Sequence, residues 1–278
     1  MAPFEGVFFW PAVMLYSLAA GAHIYALVFR EARAVRVGMV PLAGGFVLHS
    51  AAIAIRWAAT GHIPTVGNYE NASFSAWGII LFTVGVSLKY RPLRVIGAFS
   101  IPSAVLTMGF GAMSSPKLSP MVAALRSWWL YSHIIFAMLT YGAFFVAFGA
   151  SVLYLMKEGR QRKGTMTAFL EGLPPLERIE ELIFRYVVYG FITYAGMIGT
   201  GALWAKNLWG SYWSWDPVET WSLISWMIYG AIIHLRLTMG WKGRRMAWLV
   251  IAAVPSVLLV FWGINFAVES SMHIFNVR

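Results

Sequence analysis

The feature that most constrains this chain is a series of long apolar runs that follow one another along almost its whole length. A helix needs about 20 apolar residues to cross the hydrocarbon core of a bilayer. Stretches of this length lie at about 6–29, 37–59, 72–89, 93–113, 128–156, 182–205, 219–239 and 247–268. The sequence therefore predicts an all-α polytopic membrane protein with about eight transmembrane helices, which form a single membrane domain over residues 1–278.

The charged residues support this class and exclude a nucleic-acid partner. Only 12% of the residues are charged, against about 25% in soluble proteins. The net charge of +10 comes from basic groups that follow the odd-numbered spans, whereas the loops after the even-numbered spans contain only the basic residues Lys117, Arg126, Lys206 and Arg278. Basic loops stay on the cytoplasmic side. Both termini and the loop between spans six and seven are thus predicted on the outer, periplasmic face of a bacterial cytoplasmic membrane.

Three further features limit the class and the chemistry. The inner connection at about 157–181 is basic and then amphipathic, which predicts a short helix lying on membrane lipid. The chain has no cysteine, so it has no disulfide, thiolate metal site or nucleophilic thiol of its own. The first apolar run begins near Phe8 without a basic n-region or a small-residue cleavage site, which predicts a retained helix.

Tryptophan is concentrated in one external loop, at about 204–226, between spans six and seven. The tryptophans there are Trp204, Trp209, Trp213, Trp215, Trp221 and Trp226. Asp216, Pro217 and Glu219 together predict a capped helix start, with the carboxylates as N-cap and capping-box groups. Tryptophans also form belts at membrane interfaces, which explains Trp128 and Trp129. A belt does not explain the density of aromatic residues in this loop.

Two histidines are predicted beside this loop on the outer face. His133 lies near the start of span five, and His273 lies just beyond span eight. The other four are His23, His49 and His234 inside predicted spans and His62 in an outer loop. A single membrane histidine is more often hydrogen-bonded to a neighbouring helix than bound to metal. An aromatic loop between two neutral imidazoles nevertheless suits haem, whose iron takes axial histidines and whose faces stack on indoles.

The loop also carries a specific resemblance. Residues 209–221 read Trp-Gly-Ser-Tyr-Trp-Ser-Trp-Asp-Pro-Val-Glu-Thr-Trp, which resembles the tryptophan-rich "WWD" signature of haem-handling proteins in cytochrome c maturation. The Asp-Pro-x-Glu-Thr-Trp continuation is similar to the CcsA/ResC branch, which belongs to the system II cytochrome c synthase. The resemblance runs from about residue 45 to the C-terminus.

Four other segments are similar to the same family. Residues 61–64 and 68–71, with Trp77, resemble its external Gly-His-x-Pro…Asn-x-Tyr-Glu-Ser segment, although Asn71 replaces the serine and Thr-Val-Gly intervenes at 65–67. Residues 130–133 resemble its first external haem histidine, and residues 263–273 resemble its last helix with the second one. His234 falls on its intramembrane haem histidine.

The resemblance implies a function and a set of roles. His133 and His273 would bind haem iron axially at the external site. The implied haem platform consists of Trp209, Tyr212, Trp213, Trp215, Asp216, Glu219 and Trp221. His234 would be one ligand of an intramembrane haem site. The second inner ligand would come from a separate CcsB/ResB-type partner, with His23 as the local alternative and His49 as a third candidate.

The expected activity is that of a haem-binding and haem-translocating subunit of a cytochrome c haem lyase. It would present haem b for thioether attachment to the Cys-x-x-Cys-His segment of apocytochrome c, with thiol-reducing proteins as further partners. Arg126 and Lys206 could pair with haem propionates, although interfacial snorkelling is the more ordinary role for each. Two alternatives stay open, namely a haem transporter or chaperone without ligase activity and a haem-free membrane assembly scaffold.

Overall fold

The computed structural model describes residues 1–65, 67–118 and 126–263, with side chains up to Phe261. Regular secondary structure in these ranges is entirely helical, which confirms the all-α prediction. Helices α1 to α9 cover Glu5–Phe29, Ala32–Thr60, Gly67–Lys89, Gly97–Ala112, Trp128–Arg162, Ala168–Glu171, Leu176–Trp209, Pro217–Thr238 and Arg244–Leu258. A 3₁₀-helix at Arg91–Ile96 leads into α4, and a π-helical turn at Leu259–Gly263 follows α9.

Seven helices are long and apolar enough to cross a membrane, so the chain is a multi-pass membrane protein. They match every predicted span except 219–239, although the last of them is described only as far as 263. The exception, α8, is a helix of 22 residues whose buried face carries Glu219, Ser222, Ser225 and Tyr229, and its most apolar stretch is less apolar than those of the other seven. The number of spans and the side on which the termini lie therefore stay predictions.

The predicted amphipathic connection has a different shape from the one expected. Helix α5 continues to Arg162, well beyond the predicted end of span five. The amphipathic segment before span six is not a separate helix, because α7 begins at Leu176 and runs without a break for 34 residues. Only the four-residue α6 lies between these two helices. A continuous helix of this length extends over about 51 Å at 1.5 Å per residue, more than a bilayer core requires.

The helices form two compact units. One unit contains α1 to α4 and α6, and the other contains α5, α7, α8 and α9. In the first unit α1 packs along α2 through small residues. At Gly45, for example, an added Cβ would lie only 2.8 Å from the ring of Tyr16.

A buried ion cluster fastens the first unit at the end where α2 finishes. The Arg56 guanidinium donates to Glu5 at 3.0 Å and to Glu70 at 2.7 Å, so that it joins α1, α2 and α3. Tyr69 donates its hydroxyl to Glu5 at 2.8 Å, and Arg56 also donates to two backbone carbonyls of the loop after α4. All three charged side chains are buried. A buried charge needs such partners, because leaving one without them is strongly destabilising.

In the second unit α5 and α7 run antiparallel and in close contact. Phe144 of α5 lies on Gly190 of α7, where an added Cβ would approach the phenyl ring to 2.4 Å. One turn away Thr140 donates to Thr193 at 2.9 Å across the same interface. Tyr229 of α8 then stacks on Phe144, with ring centroids 3.6 Å apart and planes at 9°. These contacts fix the register of the three helices that carry the candidate site.

Candidate functional site

His133 is oriented by a hydrogen bond to the neighbouring helix. It lies in the second turn of α5, and its Nδ1 is 2.8 Å from the carbonyl oxygen of Met197 in α7. A carbonyl oxygen can only accept, so Nδ1 carries a proton. Histidines that bind metal usually show this arrangement, in which the second ring nitrogen donates to a fixed acceptor.

A pocket with a cavity volume of about 40 Å³ opens beside this histidine. Its wall combines α5, α7, the Trp loop and the start of α8, all within the second unit. It is lined by His133, Met197, Ile198, Gly201, Ala202, Tyr212, Trp213, Val218, Glu219 and Ser222. The indole Nε1–H of Trp213 is buried without a hydrogen-bond partner among the described residues. The pocket thus combines an apolar, aromatic wall with one oriented imidazole and an unused donor.

The loop that closes the pocket is held by the first turn of α8. Helix α7 ends at Gly210, which adopts φ 77°. The predicted capping box is confirmed, since Asp216 accepts from the Val218 amide at 2.9 Å and Glu219 accepts from the Asp216 amide at 3.3 Å. The same oxygen of Glu219 also accepts from the amide and the hydroxyl of Ser214, at 2.8 and 3.1 Å. One carboxylate therefore organises the turn.

Trp215 has a left-handed backbone within this turn. Its φ of 58° is unusual for a bulky residue. The Glu219 hydrogen bonds hold the residues on both sides, and the hydroxyl of Thr220 donates to the Trp215 carbonyl at 3.3 Å. The result is an indole that is 70% exposed and packs edge-on with Trp213, with ring centroids 5.8 Å apart and planes at 87°.

The predicted platform is therefore divided. Tyr212, Trp213 and Glu219 line the same pocket as His133. The remaining predicted members, Trp209, Trp215, Asp216 and Trp221, do not line it. Asp216 is occupied by capping, and Trp209 packs against Trp204 at 5.6 Å.

The two predicted propionate partners are both exposed. Lys206 donates its ammonium to the Gly210 carbonyl at 2.8 Å and lies 5.4 Å from the ring centroid of Tyr212, so it is part of the loop. Arg126 lies just before α5 and outside the pocket lining. The sequence alone does not indicate which of these two basic residues contacts the Trp loop.

Comparisons with known proteins agree with this architecture. Residues 66–272 match the family model described as cytochrome C assembly protein. The chain is 32% identical to the cytochrome c biogenesis protein CcsA of Synechococcus sp. (strain RCC307), over 92% of each protein. It is 34% identical to the CcsA of Guillardia theta, over 76% of each. The chain belongs to the CcsA family of cytochrome c assembly proteins.

A solved structure shares the fold. The chain is similar to cytochrome c heme lyase CcmF with a TM-score of 0.63 and 17% sequence identity. The similarity covers 94% of this chain and 47% of that one, so the chain spans about half the length of CcmF. At this identity the likeness supports the fold alone.

The CcsA resemblance implies two further haem-binding histidines. His273 lies outside the described residues. His234 is exposed on α8, and its Nδ1 is 3.3 Å from the hydroxyl of Thr238 one turn away. It is on the opposite side of α8 from the buried Ser225 and Tyr229. His234 is therefore accessible from outside the folded chain.

The histidines of the first unit are enclosed. His49 is fully buried, with Nε2 3.0 Å from the Ser73 hydroxyl and Nδ1 3.5 Å from the Tyr16 hydroxyl. His23 is also fully buried and donates from Nδ1 to the Ala19 carbonyl at 2.8 Å. The backbone of α4 closes over its other nitrogen, since a Cβ on Gly97 would lie 3.0 Å from Nε2. A porphyrin could not reach this nitrogen without separation of the helices.

His62, whose role the sequence left open, is buried in the loop after α2. Its Nδ1 lies 2.9 Å from the Ile63 carbonyl oxygen, and the hydroxyl of Thr60 donates to the carbonyl oxygen of His62 at 3.1 Å. These contacts close the turn between α2 and α3. His62 therefore stabilises the loop of the first unit.

Sequence reasoning missed the groups that support the site. The buried face of α8 continues from Ser222 in the pocket to Ser225 and Tyr229, and Tyr194 of α7 faces these serines. The hydroxyl of Tyr229 has no direct hydrogen bond within the described part of the chain. The helical spacing of polar residues from Glu219 onward was a visible signal. The Met197 carbonyl left no signal, because every residue has one.

Proposed function

We propose that the outer pocket binds haem and presents it for thioether attachment to apocytochrome c. In this proposal the chain is the haem-binding and haem-translocating subunit of a cytochrome c synthase in the bacterial cytoplasmic membrane. The observation that carries it is the His133 imidazole, whose Nδ1–H is used by the Met197 carbonyl while Glu219 and Trp213 share its pocket. Family membership independently supports a role in cytochrome c assembly.

The residues of the pocket suit haem b. In its neutral form the imidazole of His133 would offer Nε2 to the iron. The Trp213 indole supplies an aromatic wall for the porphyrin, and its unused N–H can donate to a polar edge. The second axial ligand in this proposal is His273, as the family resemblance implies. Lys206 at the rim, already bound to the loop, can also meet a propionate.

The reaction needs positioning more than acid or base catalysis. When a thiol adds across a haem vinyl group, the C–S bond forms, the vinyl π bond breaks, and the thiol hydrogen moves to the other vinyl carbon. Electrons therefore balance without an oxidant. The chain has no cysteine, so both thiols come from the apocytochrome, and thiol-reducing partners keep them reduced. Glu219 holds the loop with its three hydrogen bonds, which favours a structural role over proton transfer.

The inner haem site in this proposal uses His234 and a partner. A polar side chain exposed within the membrane is costly and indicates a function. Exposure of His234 favours a second ligand from outside this chain, such as a CcsB/ResB-type protein. His23 and His49 are less suitable, because both are fully buried among the helices of the first unit. Haem would pass from this inner site to the outer pocket.

A visible spectrum of the purified, dithionite-reduced protein tests the proposal. We expect a sharp low-spin haem spectrum that His133→Ala and His273→Ala each weaken and that added imidazole restores. His49→Ala is the matched control, because it removes a buried membrane histidine outside the pocket. The same proteins assayed for holocytochrome formation with the partner co-expressed distinguish a lyase subunit from a transporter.

Three outcomes would contradict the proposal in different ways. Colour that survives both outer substitutions and disappears with His234→Ala would indicate transport through the inner site alone. Haem binding at the outer pocket without any thioether product would indicate a chaperone. Absence of haem in every preparation, including those with the partner, would indicate a haem-free assembly scaffold.

A further inference from the structure

Rings of α5 are seated on glycines of α7 in a regular antiparallel register. A Cβ on Gly196 would lie 2.8 Å from the ring of Phe136, and a Cβ on Gly201 would lie 2.8 Å from Nδ1 of His133. The same interface seats Phe144 on Gly190. Each of these glycines therefore lets an aromatic ring of α5 reach the backbone of α7.

Gly201 differs from Gly190 and Gly196 in that it contacts a histidine nitrogen instead of a phenyl ring. Nδ1 of His133 is the atom that donates to the Met197 carbonyl, four residues before Gly201 on the same helix. This hydrogen bond needs the ring to lie directly on the α7 backbone. An ordinary Cβ contact begins at 3.4 Å, so an alanine at position 201 would have to move Nδ1 by about 0.6 Å, the difference between 3.4 and 2.8 Å.

We propose that Gly201 is the positioning residue for His133, because its missing side chain sets the position of the imidazole ring that lines the pocket. The inference rests on the proposed haem function and adds a residue of the pocket wall that acts through His133. Binding constellations tolerate displacements of about 0.5 Å, and the shift that alanine requires exceeds this. Loss of the support behind a metal-binding histidine typically lowers metal affinity about 10- to 100-fold.

The same helix offers two matched controls. A Cβ on Gly199 would meet nothing within 4 Å, so Gly199→Ala makes the same chemical change two residues away without a clash. Gly196→Ala creates a clash of equal closeness, but with Phe136, a packing residue outside the pocket lining. The first control accounts for the change in helix propensity, and the second accounts for disturbed packing between α5 and α7.

The experiment compares Gly201→Ala, Gly199→Ala and Gly196→Ala by haem titration and by reduced visible spectra of the purified, full-length protein. We expect Gly201→Ala to bind haem at least about tenfold more weakly and to lose part of its low-spin band, which imidazole restores. Gly199→Ala should match the wild type. Gly196→Ala should lower thermal stability, while the haem that it retains keeps the wild-type spectrum.

A haem-free readout separates this inference from the proposed function. In protein with ¹⁵N-labelled histidine, the wild type should show His133 protonated at Nδ1, and Gly201→Ala should lose that tautomer. If the wild type binds no haem, the proposed function fails whatever the tautomer. If the wild type binds haem and Gly201→Ala is indistinguishable from Gly199→Ala in both readouts, the positioning role of Gly201 is wrong. An equal spectral change in Gly196→Ala would instead attribute the effect to general packing.

Discussion

His49 and His133 both lie in membrane helices, and both place Nδ1 against an adjacent helix. The first is completely enclosed, with α1 on one ring nitrogen and α3 on the other. The second is only partly buried and lines a pocket that α7, α8 and the Trp loop complete. In the proposed function, the enclosure of the ring rather than the residue type distinguishes the structural histidine from the haem ligand.

The largest expected effect concerns the buried ion cluster of the first unit. Arg56→Ala would leave Glu5 and Glu70 buried without their cation, which should cost about 3–5 kcal/mol of unfolding free energy. Arg162→Ala is the control, since its pair with Glu158 is exposed and worth at most about 1 kcal/mol. Denaturant unfolding in detergent measures both. Equal losses would show that the cluster is not what fastens the first unit.

Substitution of His49 and of His133 should have opposite effects on stability and on haem binding. His49→Ala removes a side chain that contacts the hydroxyls of Tyr16 and Ser73, so it should lower stability by about 2 kcal/mol and leave haem binding unchanged. His133→Ala should do the opposite, with little loss of stability and a large loss of haem. Thermal unfolding followed beside the haem spectrum gives both values. A loss of haem in His49→Ala would remove the contrast between the two units.

Glu219 provides a test within the Trp loop itself. Glu219→Ala removes the acceptor of three hydrogen bonds to Ser214 and Asp216, and should cost about 1–3 kcal/mol. Acrylamide quenching of tryptophan fluorescence should increase as the loop loosens. Thr220→Ala, which removes one longer hydrogen bond at 3.3 Å, serves as the mild comparison. Quenching that is unchanged in Glu219→Ala would contradict its role as organiser of the turn.

The smallest effect isolates the backbone strain at Trp215. Trp215→Gly and Trp215→Ala both remove the exposed indole, and they differ mainly in the cost of φ 58°. Glycine adopts positive φ freely, whereas alanine does not. The glycine variant should therefore be more stable by about 1 kcal/mol in a denaturant titration. If alanine is equally stable, the residue does not keep this conformation in the membrane-embedded protein.

Local sequence signals predicted a substantial part of this molecule. Apolar runs predicted seven of the long helices, because hydropathy is a property of each segment alone. The start of α8 at Pro217 was predictable from Asp216 and Glu219, because a capping box is also a local sequence pattern. The family signature singled out His133 and the Trp loop, and the structure brings His133 together with Trp213 and Glu219.

The supporting contacts were not predictable, since they depend on which helices meet. Nothing local to Arg56 indicates that Glu5, 51 positions earlier, would bind it. The close contact between Gly201 and the His133 ring depends on the register between α5 and α7. The exposure of His234 depends on the orientation of α8. The lower hydropathy of α8 could have been noticed, because its polar residues recur with helical spacing from Glu219 to Tyr229.

That polar face has a consequence for how the chain is made. A segment that carries Glu219, Ser222, Ser225 and Tyr229 along one side gains little from entering lipid by itself. Its polar face is shielded from lipid when α7 already lies beside it, and the short connection at 210–216 keeps α7 within reach. We therefore expect the biosynthetic machinery to insert α7 and α8 together as a helical hairpin. The tip of that hairpin is the Trp loop, so the most aromatic part of the protein is shaped during insertion.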